Sequence, residues 1–146
     1  MEIFKGQNLI VFAERFKTDQ DCREYLSNIK WSVSYVCRKC KHTKSQIRKD
    51  YARTCNICSD TESATANTLI HKVKFGLRKA FFICFEMSTS TKSLSASQTT
   101  VHFRVHERTA RMYMQKVREA MKSRQDYPMA GIVNVDEHVE GGYKRR

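Results

Sequence analysis

Two cysteine pairs, Cys37-x-x-Cys40 and Cys55-x-x-Cys58, constrain this sequence more than any other feature. Each has knuckle spacing, and the stretch between them is long enough for four thiolates to converge tetrahedrally on one ion without distorting either turn. The N-terminus, MEIFKGQNLI, lacks the basic-then-apolar layout of a secretory signal. No run approaches the roughly 18 apolar residues of a membrane span. A soluble, cytosolic protein is therefore expected, in a reducing compartment where paired cysteines more often hold metal than form disulfides. A disulfide framework ranks second. The expected ion is structural Zn2+, because four protein thiolates leave no open position for water or substrate.

The metal is expected to stand in for a missing core. From Ser32 to Ser63 only short β-branched or aromatic stretches occur (Val33, Tyr35, Val36; Ile47 to Tyr51), which suits small strands that cannot bury a core unaided. Cys37, Cys40, Cys55 and Cys58 are the expected ligands of this zinc ribbon. Cys22 and Cys84 lie in apolar helical settings without a neighbouring cysteine, and packing explains them better than ligation. The histidines His42, His71, His102, His106 and His138 are scattered and read as surface or capping residues.

Charge points to the partner. Lys and Arg number 27 against 15 Asp and Glu, a formal net charge of +12, so a polyanion is the first expectation. Within and between the knuckles, Arg38, Lys39, Lys41, Lys44, Arg48, Lys49 and Arg53 face only Asp50 in opposition, a set that suits a phosphate backbone. A merely solvated basic face is the competing explanation.

Helical patterns flank the ribbon. Thr18 to Asp21 offer cap-like residues, and Cys22, Tyr25, Leu26 and Ile29 recur at helical spacing up to Trp31. Leu77 to Met87 reads as a buried helix, followed by a Ser/Thr-rich break. Ser95 and Gln98 form a capping box opening a short helix through Phe103, and a break at Arg104 to His106 precedes a longer helix, Glu107 to Lys122. On that helix Ala110, Tyr113, Met114, Val117 and Met121 are spaced to face a core, leaving Arg108, Arg111, Gln115, Lys116, Arg118 and Lys122 outward. As a helix-turn-helix, Glu107, Arg108, Arg111 and Gln115 would meet base edges, with Lys116 and Arg118 on phosphates. An antiparallel helical hairpin with a charged face fits the periodicity equally. Beyond Tyr127, Pro128 and Gly131, Ile132 to Asp136 reads as a strand carrying a carboxylate.

Taken in order, Trp31, the two knuckles, LRKAFFICFEM, ERTARMYMQKVREAM and GIVNVDEHVEGG resemble insertion-sequence transposases with an N-terminal zinc ribbon and a DDE, ribonuclease-H-like nuclease domain. The resemblance covers residues 12 to 142. It implies that Asp136 is the first acid of a catalytic trio that holds divalent ions, Mg2+ being implied only with the complete nuclease domain. After Asp136 only Glu137 and Glu140 remain, too close in sequence to supply the other acids, so this chain is expected to be truncated and catalytically inactive by itself. Arg104 stands where the family's turn usually has Gly, and Glu140 where an apolar residue usually precedes the paired glycines.

The expected class is therefore α+β: an N-terminal helical segment (1–31), a four-cysteine zinc ribbon (32–68), a helix-turn-helix-like DNA-binding domain (69–126) and the first strand of an incomplete ribonuclease-H-like domain (127–146). The expected partner is double-stranded DNA at element ends, with homo-oligomers possible and neither membrane nor small-molecule substrate. The resemblance implies a bacterial, cytoplasmic, nucleoid-associated protein. The DNA-binding candidates are Arg38, Lys39, Lys41, Arg48, Lys49, Arg108, Arg111, Gln115, Lys116 and Arg118. A zinc-ribbon module that regulates or docks onto another protein is the alternative.

Overall fold

The computed structural model describes residues 8–90 and 93–122, and the strand expected over Ile132 to Asp136 lies outside them, Asp136 included. Among the described residues the chain is α+β, with five helices and one small antiparallel sheet. None of these helices is long and apolar enough to cross a membrane.

Helix α1 (Leu9–Arg15) opens on Asn8, whose side-chain oxygen accepts from the Val11 N–H at 2.9 Å. Helix α2 (Asp19–Lys30) opens on a reciprocal capping box: Thr18 Oγ1 accepts from the Asp21 N–H at 3.2 Å, and the Asp21 carboxylate accepts from the Thr18 N–H at 2.8 Å. The cap-like run Thr18 to Asp21 thus does what its composition suggests, whereas α1 has no counterpart in the sequence reading. It is a short helix with exposed Leu9, Ile10 and Val11, and its apolar residues show no clear amphipathic period.

The sheet consists of β1 (Ser45–Ile47), β2 (Arg53–Cys55) and β3 (Thr61–Glu62), in the order β1-β2-β3. Ser45 pairs with Cys55 and Arg53 with Glu62. The strand expected around Val33, Tyr35 and Val36 does not form. The Cys37 N–H that would extend such a strand is taken by the His42 carbonyl at 2.8 Å, and Tyr35 is buried against Trp31. The expected strand from Ile47 to Tyr51 likewise stops at Ile47. Beyond it the Arg48 N–H reaches across to the Ala52 carbonyl at 2.9 Å, and Tyr51 takes a left-handed φ of 59°.

Helix α3 (Leu77–Thr89) buries Leu77, Ala80, Phe81, Ile83 and Phe85. It starts at Gly76, whose φ of 95° favours a residue without a Cβ, and Asp19 of α2 supplies the missing cap by accepting from the Arg78 N–H at 2.9 Å. Aromatic rings fill the core between α1 and α3: Phe12 stacks on Phe85 at 4.3 Å and Phe16 lies 5.0 Å from Phe81. Cys22 is fully buried in the same cluster and Cys84 packs against it, in line with a packing role for both. Tyr113 ties α5 to α3, its hydroxyl donating to the Ala80 carbonyl at 3.2 Å and lying 3.1 Å from the Cys84 sulfur.

Helices α4 (Ala96–Phe103) and α5 (Glu107–Met121) are joined by a three-residue turn whose first member, Arg104, is left-handed (φ 49°, ψ 53°). The expected Ser95–Gln98 capping box is present, with 3.1 Å bonds in both directions. His106 caps α5 by accepting from the Arg108 N–H at 3.3 Å. Thr99 locks the pair: it is fully buried, and its hydroxyl reaches the Ser95 carbonyl at 3.0 Å and the Met114 sulfur at 3.3 Å. Ala110, Tyr113, Met114 and Val117 are buried as their spacing requires. Met121 is not: at 49% exposure it borders an open apolar pocket that Phe12, Tyr25 and Val117 also line.

Candidate metal centre

The Sγ atoms of Cys37, Cys40, Cys55 and Cys58 all lie within 4.8 Å of one another. The Cys37–Cys58 and Cys40–Cys55 separations are 3.4 Å and Cys40–Cys58 is 3.5 Å. Metal–sulfur bonds of about 2.3 Å in a tetrahedron put sulfurs about 3.8 Å apart, so the four thiols are positioned to hold one metal ion, and the set is compatible with structural zinc.

The two knuckles are built alike. In the first, the Cys37 N–H donates to the His42 carbonyl (2.8 Å) and the Lys41 N–H to the Cys37 carbonyl (3.0 Å); in the second, Cys55 and Ser59 repeat both bonds to Asp60 and Cys55 (2.9 and 3.1 Å). Each turn closes on a left-handed residue, Lys41 at φ 62° and Ser59 at φ 55°. The turn of each knuckle aims an N–H from its second cysteine at the sulfur of its first. The Cys40 N–H beside the Cys37 sulfur, against an opposing contribution from burial, brings that thiol down to about 6. The Cys58 N–H lowers Cys55 in the same way. Cys58 goes up to about 12, since the neighbouring cysteine sulfurs and burial together outweigh the Asp60 N–H that favours its thiolate.

Cys37 and Cys55 are buried, while Cys40 and Cys58 are exposed. The buried pair sits on a small apolar cluster with Trp31, Tyr35 and Ala64, against which Leu26 of α2 also packs. Burial, followed by the nearby Cys37 sulfur, pushes the Tyr35 hydroxyl up to about 12.

The basic candidates divide into two groups. Lys39 is paired with Asp60 at 2.7 Å, an ion pair that raises its ammonium, and Arg38 lies 4.0 Å from Glu62. On α5, Arg111 pairs with Glu107 at 2.8 Å, and the Gln115 amide donates to Glu119 at 3.3 Å. Lys41, Arg48, Lys49, Arg108, Lys116 and Arg118 are exposed and, among the described residues, make no ion pair. Arg53 is drawn inward, its guanidinium over Trp31 at 5.0 Å and Tyr35 at 5.9 Å. Sequence reasoning gives no role to Lys30, which is held against the ribbon by four groups at once; a lysine ending an amphipathic helix carries no signal of such a partner set.

The chain matches no family model, no curated protein and no solved structure.

Proposed function

We propose that this chain is the DNA-binding, end-recognising part of an insertion-sequence transposase, with one structural zinc in its ribbon and the α4–α5 pair acting as a helix-turn-helix. The observation that carries the reading is the four-thiol cluster followed, in order, by a helix pair joined through a left-handed turn and bearing an exposed basic face on its second helix. Zinc suits four thiolates that leave no open coordination position. Arg108 at the start of α5 would meet base edges, and Lys116 and Arg118 phosphates, with Lys41, Arg48 and Lys49 of the ribbon adding backbone contacts. In this reading Asp136 is the first nuclease carboxylate of the family, at a position outside the described residues.

The test is metal analysis together with duplex binding at several salt concentrations. About one zinc per chain is expected, and neutralising several phosphates should give a slope of log affinity against log salt of about −3 to −5. A Cys55→Ser chain that stays folded without zinc and binds duplex DNA unchanged would remove the ribbon from the function. A second reading, a protein-docking ribbon, is favoured by one observation: Val33, Val36, Ile47 and Ile57 are exposed on the ribbon, at 96%, 47%, 62% and 67%. Weak, salt-insensitive DNA binding would select it.

A further inference from the structure

Lys30, the last residue of α2, sits at the neck of the ribbon, where the chain enters at Trp31 and leaves after β3. Its ammonium donates to the Ser63 carbonyl at 3.0 Å and the Ala66 carbonyl at 2.8 Å, pairs with Glu62 at 2.8 Å, and lies 5.0 Å from the Trp31 ring centroid. Its side chain is only 18% exposed and that of Glu62 10%. The cation is therefore committed to the end of β3 and the turn that follows it, and is turned away from solvent, unlike the exposed cations of α5.

Other contacts lie on the same seam. The Gln20 side-chain amide donates to the Lys49 carbonyl, so α2 touches the ribbon at both ends of the helix. The Arg53 guanidinium lies over the same Trp31 ring, and Leu26 packs into both apolar clusters. Helix α2 in turn packs on α3, which contacts α5. A path of packed elements thus leads from the knuckles to the helix pair, and Lys30 is the charged contact among those that cross the neck.

We propose that Lys30 is a positioning residue for nucleic-acid binding: by clamping the end of β3 and the turn after it to α2 it makes the ribbon and the α4–α5 pair address a single duplex as one rigid body. This rests on the DNA-binding reading above. Two basic modules held in fixed relation lose less freedom on binding than two joined flexibly, so release of the clamp lowers affinity without removing any DNA contact.

The experiment uses the full chain with Lys30→Met and with the charge-balanced pair Lys30→Met/Glu62→Gln, whose net charge equals that of the parent. Metal content and helical circular dichroism verify that both modules remain folded. Amide 15N relaxation then gives separate rotational correlation times for ribbon and helical body, and titration with a duplex gives affinity. Equal correlation times are expected in the parent and unequal ones in both variants, with duplex affinity about tenfold weaker in both. If the charge-balanced variant keeps its metal and helicity but tumbles as one body, Lys30 is not the clamp. If it tumbles as two bodies yet binds duplex like the parent, the clamp exists and does not position the ribbon for DNA. A parent that tumbles as one body but fails to bind duplex overturns the DNA-binding reading itself, and the positioning role with it.

Discussion

Phe12, Phe16, Phe81, Ile83 and Phe85 bury one another in the helical body, whereas the ribbon's buried set is Trp31, Tyr35, Ala52, Ala64 and two of its four cysteines. The body excludes water with rings from α1 and α3, and it needs no ion to do so. The ribbon has strands of two or three residues and only a small apolar cluster around Trp31 and Tyr35. What it has is hydrogen-bonded turns that bring four sulfurs together. One region is therefore stabilised by area removed from water and, on the proposed zinc reading, the other by coordination, so conditions that weaken one should spare the other.

On the zinc reading, the largest effect should come from chelation. Structural zinc contributes on the order of 10 kcal/mol to small Cys-ligated modules, more than the ribbon's few apolar contacts can replace. Chelation should expose Trp31, the chain's one tryptophan, shifting its emission to the red while most helical ellipticity persists. Loss of both signals in one transition would show that the two regions share a single cooperative unit.

The converse is Phe16→Ala. Removing a ring that is 1% exposed and touches Phe12, Tyr25 and Phe81 should cost about 3 to 5 kcal/mol and lower the thermal midpoint of the helical signal, with metal content unchanged. Metal loss in this variant would break the comparison from the other side.

Arg104→Gly should stabilise the helix pair, by about 0.5 to 1 kcal/mol, since glycine adopts φ 49° without the steric cost a Cβ brings. Denaturant midpoints followed by circular dichroism would register it, and an unchanged or lower midpoint would mean that the Arg104 side chain offsets the strain. The smallest effect is acid sensitivity at the α2 cap. The Thr18 backbone N–H, then its hydroxyl, hold the Asp21 carboxyl below its usual range. Its contribution is present above the unfolded value of 3.8 and is lost as pH falls through the lower folded value, so Asp21→Asn should flatten the acid limb of the helical melting curve.

Much of the helical layout is legible in the sequence because it rests on local chemistry. Capping residues, the apolar run of LRKAFFICFEM and the three-to-four spacing on α5 depend on near neighbours. The left-handed backbone at Arg104 has no local signal, since arginine is not a residue type that favours positive φ. The knuckles are legible from spacing. The ribbon's strands are poorly placed by pattern, because Val33, Tyr35 and Val36 have strand-forming side chains while the Cys37 N–H that follows them is taken up in the first knuckle. The Lys30 clamp is invisible in the sequence, since two of its acceptors are the carbonyls of Ser63 and Ala66, which carry no side-chain signature, and the third, Glu62, lies far along the chain with nothing local to pair the two. The expectation at Asp136 concerns residues outside those described.

The twin knuckles have one more consequence. Lys41, Lys44, Arg48, Lys49 and Arg53 all lie in the segment between Cys40 and Cys55, so a trypsin-like cut anywhere along it leaves two sulfurs on each fragment. With zinc bound as proposed, each fragment would still hold half of the coordination sphere, and β1 still pairs with β2 wherever the break falls in the turn between them. Such a nicked molecule should run as one piece on a sizing column and as two in denaturant. The metal would then serve as a clasp across a broken chain, and backbone damage in the ribbon would stay silent until the ion left.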